Sequence, residues 1–260
     1  MEVIIQPKFE EACRIAGEII ALTIRAKPNA VLGLATGKTM EPVYEELVRR
    51  HQDNQIDFHQ ITTFNLDEYV GLDPEHPSSY HTFMRQKLFN HVNIPASQTF
   101  FPDGLANDIP ASCARYEEKI RHANGIDLQL IGIGADGHIG FNEPVSSLGS
   151  RTRIKTLTRD SVTESRRWWR PEEDIVPHVL TMGIGTILEA RHCLLLAFGE
   201  RKSDAIAAAV EGPITAMIPA SALQLHQHTT VLIDKSAAKK LKLVDYYHFA
   251  YANKPKWQLY

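Results

Sequence analysis

Residues 30–47, AVLGLATGKTMEPVYEEL, read as an apolar strand from Ala30 to Ala35, a tight turn at Thr36-Gly37-Lys38-Thr39 and a helical stretch from Pro42 to Leu47. Working outward, the same strand-then-helix unit recurs. Upstream, Lys8 to Lys27 places Ala12, Ile15, Ile19 and Leu22 on one face of an amphipathic helix. Downstream, QITTFNL ends before Asp67 and is followed by a helix over Tyr80 to Phe89. DLQLIGIG ends before Ala135, CLLLAFG ends before Glu200 with a helix through Ala209, and Thr230 to Ile233 precedes a helix over Ala237 to Val244. Continuous apolar strands separated by helix-length segments predict a mostly parallel sheet covered on both faces, in one doubly wound α/β domain spanning 1–260.

No repeat or linker divides the chain. The least regular stretch, 140–176, lacks an apolar period and carries basic residues and two tryptophans. An irregular segment of that length suggests an active-site lid, placed around 150–176.

The composition narrows the function classes. With 43% apolar residues in 260, the chain can bury a substantial core. A net charge of −3 from 28 basic and 31 acidic residues gives no electrostatic reason to bind nucleic acid or an anionic membrane. Cys13, Cys113 and Cys193 are scattered, so neither a disulfide framework nor a zinc site is expected, and a reducing cytosol is the expected home. MEVIIQPKFEEA has acids where a signal peptide has its apolar core, and the later apolar run is broken by Glu18 and Arg25, so no leader or membrane span is expected.

Three glycine-rich loops follow strands. Gly33 and Gly37 have three residues between them rather than the four of a nucleotide P-loop. What remains is either an ordinary strand-to-helix turn or an anion site, with free N–H groups and the positive end of a helix aimed at the crevice. Gly132-Ile-Gly-Ala-Asp-Gly137 matches the dinucleotide fingerprint formally, but His138-Ile-Gly-Phe-Asn-Glu-Pro144 follows where a helix should open, which argues against a nicotinamide cofactor. Gly183-Ile-Gly-Thr186 reads as a turn into a short helix.

Two ionisable clusters sit at strand ends: Asp67-Glu68, and Asp136, His138 and Glu143. The second is compatible with a metal site, a general-acid relay or a hydrogen-bonded loop brace. His226 and His228 read as surface or helix-end residues rather than ligands. An anion loop combined with a carboxylate and a histidine is what proton-transfer isomerisation requires.

Over nearly its whole length the chain resembles the glucosamine-6-phosphate deaminase family, through GLATGKT (33–39), NLDEYVGL (65–72), HPSSYHTF (76–83), GIGADGHIGFNEP (132–144), SRTRIKTLT (150–158) and GERKSDAIAAAVEG (199–212). The resemblance implies a modified Rossmann, three-layer α/β/α fold. It implies conversion of glucosamine 6-phosphate and water to fructose 6-phosphate and ammonia, with no metal and no redox cofactor. Asp67 would be the base between C1 and C2, and His138 the ring-opening acid–base, oriented by Asp136 and Glu143. Thr36, Gly37, Thr39, Arg167 and Lys202 would hold the phosphate. Some members are hexamers activated by N-acetylglucosamine 6-phosphate between subunits, so a homo-oligomer is a candidate state, with Ser146, Arg153 and Lys155 as effector contacts.

The chain departs from the pattern at Lys38-Thr39-Met40, where many members have Gly-Thr-Pro, and at SRRWW, where Arg166 rivals Arg167. Alternatives are galactosamine 6-phosphate as substrate, a lactonase of the same fold, and a sugar-phosphate sensor. The last would bring a basic DNA-binding segment that this chain lacks.

Overall fold

The central strands are apolar at almost every position because both of their faces are covered. In the computed structural model, which describes residues 1–166, 169, 170, 173 and 175–258, β2 (Val31–Leu34) and β9 (Cys193–Ala197) are buried throughout and β6 (Leu128–Gly132) at all but its last residue. With β1 (Glu2–Gln6), β3 (Thr62–Asn65), β5 (Thr99–Phe100) and β10 (Thr229–Asp234), they form a seven-stranded parallel sheet in the order β1-β10-β9-β6-β2-β3-β5. Helices cover both sides, among them α1 (Phe9–Ala26) and α2 (Glu41–Gln52), and the core runs along the whole sheet. The expected α/β architecture is therefore the observed one.

The strand order reverses between β2 and β6. From β2 the chain winds outward through β3 to β5, and from β6 it winds the other way through β9 and β10. Loops leaving the C-terminal ends of β2 and β6 diverge at such a point and open a crevice.

A second sheet was not foreseen. β4 (Asp67–Tyr69), β8 (His178–Thr181) and β7 (Arg153–Thr156) pair antiparallel in the order β4-β8-β7. A small aromatic core of Tyr69, Leu157, Trp169 and Val179 lies against it, with Tyr80 and Phe141 packed alongside. The stretch expected to be irregular thus contains β7 and α5 (Arg159–Ser165), which is held at its start by the Thr158 side chain accepting from Ser161 N. Its pattern hides it: β7 turns Arg153 and Lys155 toward the protein and leaves Ile154 exposed.

One expected helix is corrected. Ala237 and Ala238 are buried as a helix face would be, but 235–240 is a series of turns, tied by Ala238 N to Asp234 O and Leu241 N to Ala238 O. The helix comes later, as α8 (Val244–Ala252). No helix among the described residues is long and apolar enough to cross a membrane.

Candidate active site

A cleft of about 390 Å³ opens at the reversal point, and four neighbouring strands, β3, β2, β6 and β9, deliver its walls. On one side lies the turn after β2. Gly37 takes φ of 107°, a conformation that glycine adopts without strain, and Met40 N bonds back to its carbonyl at 2.9 Å. Among the described residues the backbone N–H groups of Thr36, Gly37, Lys38 and Thr39 have no intrachain acceptor. They lie just ahead of α2, whose dipole adds positive potential there. Lys38 is exposed at the cleft edge, and Lys202 lines the opposite wall in the 3-10 turn Glu200–Lys202.

Asp67 stands at the floor. It opens β4 instead of closing β3, so its backbone belongs to the antiparallel sheet and pairs with Thr181. It is 6% exposed, and none of the described residues donates a hydrogen bond to its carboxylate. Burial, reinforced by the Glu68 carboxylate and opposed by His138, pushes its carboxyl up to about 8.

His138 is reached by the loop after β6, folded back through bonds from Gly134 N to His138 O (2.9 Å) and from Gly137 N to Gly134 O (3.1 Å). The ring lies so close over Gly134 that a Cβ there would sit 2.3 Å from Nδ1. Nδ1 is 2.7 Å from Asp136 Oδ1 and 3.4 Å from Glu143 Oε2, although neither carboxylate lies along the ring N–H direction. Burial by itself would depress this imidazole; the two carboxylates outweigh it and raise the imidazole to about 9. Asp136 moves the opposite way: burial would raise it, and His138 holds it well below the usual carboxylate range. With Nδ1 facing the carboxylates, Nε2 is the nitrogen left for the cleft.

Glu143 is 4% exposed and fixed by two partners that the sequence reading missed, Ser161 Oγ at 2.5 Å and Thr158 Oγ1 at 3.4 Å, so α5 reaches the site through it. The Thr158-x-x-Ser161 pair reads as a helix cap, and nothing in its spacing shows that a carboxylate is its second partner. Asn142 Nδ2 donates to Ile139 O and Met182 O, tying the loop to the end of β8. Donor atoms of Asp136, His138 and Glu143 lie within 4.8 Å of one another, so a cation could in principle sit among them.

Ser146, Arg153 and Lys155 are not among the residues that line the cleft. Arg153 Nη1 donates to Asn142 Oδ1 at 2.9 Å and, among the described residues, pairs with no carboxylate; burial lowers its guanidinium. Ser146 is buried and its Oγ has no partner among the described residues. Arg167 lies outside the described residues. Arg166 Nη1 is engaged with Glu173 O at 2.7 Å and Arg170 O at 3.3 Å. His226 closes the 3-10 helix Pro219–Leu225, with its Nε2 2.6 Å from Ala190 O, and His228 is exposed and stacks on His192.

Residues 9–232 match the family described as glucosamine-6-phosphate isomerases/6-phosphogluconolactonase. The chain is 50% identical to a glucosamine-6-phosphate deaminase of Arthrobacter sp. over 258 residues and 51% identical to that of Streptomyces coelicolor over 259, each covering 99% of both chains. A solved structure described as a monomeric glucosamine-6-phosphate deaminase superposes with a TM-score of 0.89 at 47% identity, covering 92% of this chain and 99% of its own. A 6-phosphogluconolactonase from Trypanosoma cruzi superposes at 0.71 with 20% identity, a likeness of fold alone.

Proposed function

We propose, because the chain belongs to the family of glucosamine-6-phosphate isomerases and 6-phosphogluconolactonases, that it isomerises and deaminates glucosamine 6-phosphate, giving fructose 6-phosphate and ammonia with consumption of one water. The observation that carries the residue assignment is the arrangement of the cleft. An anion-accepting turn stands on one wall, and a donor-starved carboxylate and a carboxylate-clamped imidazole stand across from it.

The phosphate anchors on the N–H groups and hydroxyls of Thr36, Gly37 and Thr39 and on Lys202, with Arg167 completing the clamp. His138, oriented by Asp136 and Glu143, moves the anomeric hydroxyl proton to the ring oxygen, breaking the C1–O5 bond and exposing the aldehyde. Asp67 removes the C2 proton while the aldehyde oxygen takes a proton from the C2 ammonium, giving an enolamine, and Asp67 then returns its proton to C1, leaving a C2 iminium. Water adds to that carbon and ammonia leaves, so the net step is hydrolytic. Protons and water account for every atom, and no electron acceptor is required. The close approach of Asp136 and Glu143 to His138 Nδ1 serves to orient and charge the imidazole, with no metal assigned to the three.

Ser146, Arg153 and Lys155 belong to the proposal as effector contacts of a homo-oligomer. Its support is that, among the described residues, Arg153 pairs with no carboxylate and the buried Ser146 hydroxyl has no partner. Against the oligomer stands the similar solved structure described as monomeric.

The test is ammonia and ketose-phosphate release from glucosamine 6-phosphate and from galactosamine 6-phosphate, with a chelator present. Release from the gluco sugar at an unchanged rate is the expected result. Preference for the galacto sugar would change the substrate and keep the mechanism. Loss of activity on chelation would turn the Asp136 cluster into a metal centre.

A further inference from the structure

Two carboxylates lie side by side on β4 and are treated in opposite ways. Asp67 faces the cleft without a hydrogen-bond donor among the described residues. Glu68 points to the other face of the strand, is 2% exposed, and collects four donors. Tyr69 N reaches Oε1 at 2.8 Å, Tyr80 N reaches Oε1 and Oε2 at 3.2 and 3.0 Å, His81 N reaches Oε2 at 3.2 Å, and His81 Nδ1 reaches Oε2 at 2.8 Å. Tyr80 and His81 open α3 (Tyr80–Lys87), and Thr82 N is served by the Ser79 side chain, so Glu68 completes the first turn of that helix. Every contact of Glu68 is with a donor. A proton on either oxygen would displace one of them, and an acceptor at His81 Nδ1 would face an acceptor; the arrangement closes only for a carboxylate beside a ring that carries its hydrogen on Nδ1. Phe101 stacks on that ring at 3.7 Å and holds it in place.

We propose that Glu68 is a positioning residue for Asp67: a fixed buried negative charge, anchored by α3 and His81, that keeps the neighbouring carboxyl able to hold the proton taken from the sugar until it is returned. The role rests on the proposed proton transfer. A base that surrendered its proton to bulk water at once could not redeliver it from C2 to C1. A permanent charge one residue away on the opposite face favours the protonated form of Asp67 without competing for the substrate. The other ionisable groups around Asp67 are His138 from the loop after β6, Tyr44 from α2, Tyr80 from α3 and Tyr116 from α4 (Ile109–His122). Of these, only His138 opposes Glu68.

The experiment is the pH dependence of kcat/KM for ammonia release by the full chain and by Glu68→Gln and His81→Phe. Glu68→Gln is expected to move the acid limb to lower pH by about one unit. His81→Phe keeps the stack on Phe101 but leaves the Glu68 charge less compensated, and is expected to move the limb to higher pH. Opposite shifts are the signature, because simple loosening of α3 would move both variants alike or neither. Limbs that coincide with the unsubstituted protein, whatever happens to kcat, would reduce Glu68 to a helix cap and overturn the proposal. Isotope-edited infrared titration of the Asp67 carboxyl reads the same shift without turnover. If the unsubstituted protein released no ammonia, the deaminase reading would fall while this titration still decided the role of Glu68. Should Glu68→Gln not fold, His81→Phe decides alone, an unmoved carboxyl titration counting against the proposal.

Discussion

Asp67 and His138 line one cleft and are brought toward the same pH range by contrary means. Asp67 is deprived: it is buried, given no donor among the described residues, and set beside a second carboxylate, so its proton is held up to about 8. His138 is supplied: two carboxylates face its Nδ1 and raise it to about 9 against the burial that would lower it. A buried acid and a buried base can thus be matched for proton exchange by starving one and pairing the other. The difference also separates their supports. Removing Glu68 makes Asp67 more acidic, whereas removing Asp136 or Glu143 makes His138 less basic.

The largest effect is expected at the starved group. Asp67→Asn should lower kcat by about 10³-fold with little change in KM, because the amide fills the same space and cannot take the C2 proton. The same substitution should stabilise the fold. A raised carboxyl favours the native state below its unfolded value near 3.8, and that contribution is lost as pH rises through about 8. At neutral pH the native protein holds a proton on Asp67 that the unfolded chain has released, so Asp67→Asn should gain on the order of 2 kcal/mol in a denaturant titration and flatten the pH dependence in that window. Activity retained, or stability unchanged, would mean that the carboxylate is neither the base nor starved.

His138→Gln should cost about 10²-fold in kcat/KM and erase the alkaline limb near pH 9. Its stability signature lies in another window. The imidazole is raised above its unfolded value near 6.5, so its contribution is complete below that pH and is lost as pH rises through about 9. Next in size is the pair that clamps it. Asp136→Asn and Glu143→Gln should each cost on the order of 10–100-fold, less than the loss of a sole orienting carboxylate because two share the task. Asp136 should matter more, since it is 2.7 Å from Nδ1 and Glu143 is 3.4 Å. The reverse order would shift the orienting role to Glu143 and, through Ser161, to α5.

These groups were legible in the sequence in unequal measure. β2, β6 and β9 announce themselves because a strand covered on both faces has to be apolar throughout, and their C-terminal loops are where such a sheet concentrates ligand-binding groups. The three-stranded sheet does not. β4 is the three residues Asp67-Glu68-Tyr69, two of them buried acids, and β7 turns Arg153 and Lys155 inward, so neither carries an apolar period. Register then creates what spacing could not show: Asp67, Thr181 and Arg153 are aligned across β4, β8 and β7, although Thr181 and Arg153 are 28 residues apart. α4 (Ile109–His122) was missed despite a readable start, the Asp108 cap followed by Pro110. The partners of Glu68 were out of reach, since joining it to His81 requires knowing that α3 docks on β4.

The smallest effect lies outside the cleft and is the control for the comparison. His192 is buried at the start of β10's neighbour β9, its Nε2 is 2.9 Å from Thr230 Oγ1, and its ring stacks on His228 at 3.7 Å with 7° between planes. Burial first, then the neighbouring His228, His226 and Lys254, lower it to about 3. It is deprived as Asp67 is, but as a base, so the sign reverses: its contribution is present above about 6.5 and is lost as pH falls toward 3. His228→Phe keeps a ring on the stack and removes one like charge. It should lessen the loss of stability in acid by roughly 0.5–1 kcal/mol near pH 5, leaving both limbs of the activity profile where they were. A shift in either limb would show that the far end of the sheet is coupled to the cleft. With no shift, the tuning of Asp67 and His138 would be local to the groups that surround them.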